Sequence, residues 1–212
     1  MTFLRERKGF QQFRAGFVNI ERDFIQALRK LHLRYDTAIR ENRFVVGGAT
    51  EIVLGAAMRA CGVPVRHRGT QTVTLDLLFE DGEGGYSVKS MLRSSSTRLV
   101  NVLGRTVAVD EWKTATLFLL PHGIVYADPE LPWWQNNKEQ KLRVRTDALE
   151  IPRRAIQDFA QSHSEWWISC DLRFDRQTEE RAYVRSASYD LALNVLKDLG
   201  GPLFQHLPPL LE

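Results

Sequence analysis

The chain has 212 residues, 43% hydrophobic and 26% charged, with a formal net charge of +3. That composition belongs to a folded globular chain and excludes a wholly disordered polymer, a collagen-like repeat and a disulfide scaffold. The apolar runs are only a few residues long, so no segment can span a bilayer.

Arg5, Glu6, Arg7 and Lys8 stand where a signal peptide would need an apolar stretch, which predicts a chain that is not exported. Cys61 and Cys170 lie far apart and lack metal-ligand spacing, as expected of a reduced cytoplasmic protein without structural zinc. The charge is unevenly spread. Residues 1–43 hold ten Lys/Arg against five Asp/Glu, while the rest of the chain holds 19 against 21. Such a basic segment can sit on a phosphate backbone or form an ordinary solvated helix face.

Phe10, Phe13, Phe17, Ile20, Phe24, Leu28 and Leu31 recur at helical spacing. They predict one long amphipathic helix over 8–33, or two with a break near Gly16. The aromatic stripe should pack on the rest of the domain or on a partner subunit, or serve a DNA-binding arm. Gly47 and Gly48 are expected to end that structure, and a helix should run from about 49 to 61 until Gly62. Strands are expected at 63–68 and 72–80, then a turn at 81–85 and a returning strand at 86–92. Residues 93–105 read as a polar stretch that turns helical at "TRLVNVL". Residues 110–120 are ambiguous between a capped helix and a strand. A strand follows at 123–128 and a loop at 129–140. "AIQDFAQSH" reads as a short helix, "EWWISCDLRF" as a strand, and Ser188 to Leu199 as a final amphipathic helix. The whole predicts an α/β fold: a central mixed β-sheet flanked by helices. The expected divisions are a helical N-terminal extension (1–43), a core (44–128) and C-terminal strands and helix (129–212) completing the same domain.

Charged residues inside two apolar strands point to chemistry. Asp76 lies among Leu75, Leu77, Leu78 and Phe79, and Lys89 among Tyr86, Val88 and Met91. Period-two alternation puts Ser87 and Lys89 on one face. A hairpin can bring that face to Asp76, and a plain cross-strand ion pair is the simplest use of the two charges. Glu51 is expected in the first turn of the preceding helix, where the helix dipole favours a carboxylate.

A helix with an early Glu, a short strand, a strand with Asp, a turn and a strand reading "YSVKS" resembles the core of the PD-(D/E)XK nuclease superfamily. That group includes restriction endonucleases, Holliday-junction resolvases and the TnsA-type endonuclease subunit of transposases. The resemblance covers residues 47–128. Leu75 replaces the usual proline before Asp76, and Ser87 replaces the carboxylate usual two residues before the lysine. Glu80 and Glu83 are weaker substitutes for that carboxylate.

The resemblance implies Mg²⁺ or Mn²⁺ held by Asp76, Glu51 and the main-chain carbonyl of Val88. Lys89 would orient the attacking water and stabilise transition-state charge, and Ser87 would hydrogen-bond a water. DNA is the implied substrate, with a homodimer or a partner protein as the working assembly. Arg66 and Arg68 before the hairpin, and Arg93 and Arg98 after it, are candidate phosphate contacts, with His67 inside the first cluster. Gln71 and Thr72 could add hydrogen bonds. Because Ser87 removes an expected ligand, a binding protein that does not cut, or a subunit that cuts only with a partner, are alternatives. Trp133–Trp134 and Trp166–Trp167 read as core-and-rim pairs or base-stacking wedges.

Overall fold

A computed structural model describes residues 2–35, 40–68, 75–174, 188–207 and 210. The N-terminal stripe forms two helices, α1 (Leu4–Gly16) and α2 (Glu21–Arg34), joined by a 3-10 turn at Phe17–Asn19. The break falls where Gly16 was expected to place it. Phe10, Phe13, Phe17, Phe24, Leu28 and Leu31 are all buried in the main core. Phe13 and Phe24 each meet Phe17 edge-on, with ring centroids 5.5 Å apart. The stripe is therefore core, and its aromatic rings are not available to DNA or to a partner.

Polar side chains also tie α1 inward. Arg7 grips Asp128 with two hydrogen bonds of 2.8 Å, and Asp128 is fully buried. The Tyr126 hydroxyl donates to the same carboxylate at 2.7 Å. Glu6 accepts the Gly85 N–H at 3.1 Å.

Helix α3 spans Arg40–Ala60, so Gly47 and Gly48 lie inside it and stop nothing. Their lack of a side chain permits close packing: a Cβ at Gly48 would strike Ser188. Two turns later Gly55 admits Leu77 and Leu210 in the same way. The expected boundary at 43/44 falls within this helix, and Glu51 sits near its middle instead of in its first turn. Gly62, at a φ of 81°, ends the segment.

The main sheet has six strands in the order β1 (Val65–His67), β2 (Leu77–Phe79), β3 (Gly85–Ser90), β5 (Thr116–Leu120), β6 (Gly123–Ala127), β8 (Trp167–Ser169). β3 and β5 are parallel and the other neighbours antiparallel, giving the expected mixed α/β sheet. Residues 72–74 of the predicted second strand lie outside the described residues, as do Gln71 and Thr72.

A second, two-stranded sheet pairs β4 (Ser96–Thr106) with β7 (Arg143–Pro152). Its first strand occupies the stretch expected to turn helical, where β-branched Thr97 and Val100 fit a pleated pairing better than a helix. The predicted loop at 129–140 is mostly helix α4 (Pro132–Lys141), with Pro132 in its first turn and Trp134 fully buried. Helices α5 (Arg153–Ser162), α6 (Ser188–Leu199) and α7 (Pro202–Gln205) complete the chain. No helix among the described residues is long and apolar enough to cross a membrane.

Candidate active site

Three antiparallel strands and one helix converge at the start of β2. The main-chain N–H of Asp76 donates to Tyr86 at 2.9 Å, and its carbonyl accepts from the Arg68 N–H at 3.2 Å. The ladder pairs Leu77 with Tyr86, and the Asp76 N–H bonds to that same Tyr86 carbonyl, which ties Asp76 to β3 just ahead of Ser87 and Val88. Asp76 Oδ2 accepts the Ser87 hydroxyl at 3.2 Å and the Val88 N–H at 2.6 Å. Two donors on one oxygen fix the carboxylate, while Oδ1 has no hydrogen bond among the described residues. A residue's N–H and C=O leave an extended strand on the same side, so the Val88 carbonyl also faces the Asp76 side.

Glu51 reaches the same place from α3. Its Oε2 lies 3.3 Å from His67 Nε2, on the last residue of β1. The Glu51 side chain is 25% exposed and that of His67 10%. Burial raises the Glu51 pKa above its ordinary value. The His67 contact opposes that shift, the charge of Asp76 adds to it, and the charge of Lys89 opposes it. Asp76 and Lys89 thus both lie within electrostatic range of Glu51. Its mid-helix position removes the dipole as a reason for a carboxylate there.

Lys89 is half-buried on β3, paired in register with Phe118 of β5. It makes no hydrogen bond or ion pair among the described residues, so the simple Asp76–Lys89 ion pair is not formed.

The expected basic contacts divide. Arg68 is exposed and lies in register with Asp76. Arg66 is opposite Leu78 in the β1–β2 ladder, and its Nε is buried without a hydrogen bond. Arg93 is exposed and donates to the His32 carbonyl at 3.5 Å. Arg98 belongs to the second sheet, 3.9 Å from Glu150. Glu80 pairs with Arg59 at 2.5 Å, and Glu83 is exposed in the turn, so neither joins the site.

His67 is the residue that sequence reasoning undervalued. It reads as one member of a basic cluster, yet strand alternation separates it from Arg66 and Arg68 and turns it toward α3. The tryptophan pairs match the core-and-rim reading: Trp134 is buried, and Trp133, Trp166 and Trp167 pack partly buried against the core.

No three His, Cys, Asp or Glu side chains cluster as a metal cage among the described residues. A hard cation that keeps several waters needs only one or two carboxylates, and Asp76, Glu51 and the Val88 carbonyl form such an oxygen set. No family model, curated protein or solved structure matches the chain.

Proposed function

We propose that the chain is a metal-dependent endodeoxyribonuclease of the PD-(D/E)XK type, acting in the cytoplasm on DNA. The observation that supports this reading is that Asp76 and Lys89, carried by separate strands, both lie within electrostatic range of Glu51 on α3, with no ion-pair partner for the lysine among the described residues.

Bound Mg²⁺ or Mn²⁺ would neutralise phosphate charge and lower the pKa of a water. The protein's own part is positional and electrostatic. Ser87 and Val88 hold Asp76 Oδ2, and His67 steadies Glu51. The Lys89 amine orients the attacking water and offsets the charge that grows on the phosphate oxygens. Cutting both strands of a duplex in one event uses two such sites, which a homodimer or a partner protein would supply.

The test is plasmid cleavage with Mn²⁺, with EDTA, and with Asp76→Asn and Lys89→Ala. EDTA should abolish cutting, and each substitution should slow it by about 10²–10⁴-fold. Undiminished cutting by the double variant overturns the proposal. Ser87 favours a second reading, a nuclease-like binder or partner-dependent subunit, because its hydroxyl goes to Asp76 where a further carboxylate would serve. DNA retardation without cutting in any divalent metal would select a binder, and cutting only after a second protein is added would select the subunit.

A further inference from the structure

The second sheet has an open cationic stretch that the hydrolytic site does not use. Arg143, Val144, Arg145 and Thr146 of β7 are all exposed. Successive residues of a strand point to opposite faces, so β7 is open on both sides there. Asn101, Gly104 and Arg105 on β4 are also exposed. An isolated two-stranded ribbon gains little stability from pairing alone, so leaving both faces uncovered calls for a reason.

The charges come from both strands. Arg98 and Arg145 lean on a single carboxylate, Glu150, at 3.9 Å and 3.5 Å. One anion cannot neutralise two guanidiniums. Arg143, two residues from Arg145 and on the same face, has no ion-pair partner among the described residues. Neither Asp nor Glu occurs at 101–106 or 143–146. The ribbon begins six residues beyond Ser90, the last residue of the strand that carries Lys89, and the Arg153 N–H donates to Ser95 at 2.8 Å beside its base.

We propose that this ribbon is a binding surface for duplex DNA, with Arg98, Arg145 and Arg143 on the phosphates. The inference rests on the nuclease reading for its substrate class and extends it from nucleic acid to the duplex form. Charge selects a phosphate backbone. The absence of any aromatic residue in either strand argues against a single strand, whose binding relies on base stacking. Two strands about 4.8 Å apart also fit the roughly 12 Å major groove of B-DNA, which admits a two-stranded ribbon. The deep, narrow groove of duplex RNA does not.

The test is fluorescence anisotropy with one labelled sequence as duplex DNA, single strand and duplex RNA, in EDTA, from 50 to 200 mM salt. Wild type should prefer duplex DNA. Arg143→Ala/Arg145→Ala should weaken that binding about tenfold at low salt and flatten the log–log salt slope by about 2. Both side chains are exposed, so an unchanged circular dichroism melt confirms the variant's fold. An unchanged salt slope, or equal affinity of wild type for single strand or duplex RNA, overturns the proposal. EDTA separates the two readings. Cutting by a variant with unaltered binding sinks the ribbon alone, and ribbon-dependent binding without cutting sinks the nuclease alone.

Discussion

Glu51→Gln should make the protein more stable at neutral pH while removing its activity. The Glu51 carboxyl is three-quarters buried, holds one contact to His67, and feels the negative charge of Asp76. Burial, the largest influence, raises its pKa, and Lys89 only partly offsets this. A raised native pKa means that Glu51 contributes its full stability below the ordinary carboxyl range, where it is protonated in both states. That contribution is lost as pH rises through the native value. Glutamine is neutral throughout and can still meet His67. The variant should match wild type near pH 4 and exceed it by about 1 kcal/mol at pH 8. For a chain of this size that is a rise of about 2–4 °C in Tm. The assay is thermal unfolding followed by circular dichroism from pH 4 to 8 in EDTA. A variant less stable than wild type at pH 8, or a gap that does not change with pH, would refute the account of Glu51 as a charge held against its preference.

Two further outcomes test the frame around the site. Arg7→Ala leaves the fully buried Asp128 without its bidentate partner, and should cost about 3–5 kcal/mol in urea unfolding. His32 is buried and lies near Arg93, and both effects, burial first, depress its pKa to about 4. Its neutral form therefore supports folding above pH 6.5, and that support is lost as pH falls toward 4. The interval corresponds to roughly 3 kcal/mol, so wild type should lose that much relative to His32→Asn between pH 7 and pH 4. Parallel stability profiles for the two proteins would show that His32 is not held neutral.

Much of the scaffold was legible because its signals are local. The Phe stripe, the Gly16 break, the hairpin around "DGEGG" and the helix from Ser188 to Leu199 each follow from spacing and turn residues. The errors arose where tertiary packing overrode local signals. Gly47 and Gly48 read as a stop, but Gly48 is a point of close approach to Ser188. The tryptophans of α4 read as loop because their burial depends on Trp112 and Phe159, distant in sequence. Strand β7 was missed: its exposed half, "RVRT", carries no buried face to create an alternation.

The site was legible in a different sense. Asp76 and Lys89 stood out because a charge in an apolar strand needs a partner, and the expected partner was each other. The structure gives a less economical arrangement. Asp76 is held by neutral donors, Glu51 is held by His67, and Lys89 has no polar partner among the described residues. Pairing the two residues directly would neutralise both and lower the cost of burial. Keeping them apart leaves an unspent amine and an open carboxylate oxygen in one half-buried place. Under the proposed reading such a place would stabilise an anion and a cation together, as a phosphodiester with its counter-ion requires. Ser87 fits the same logic, because a hydroxyl fixes Asp76 without adding charge that Lys89 would have to balance.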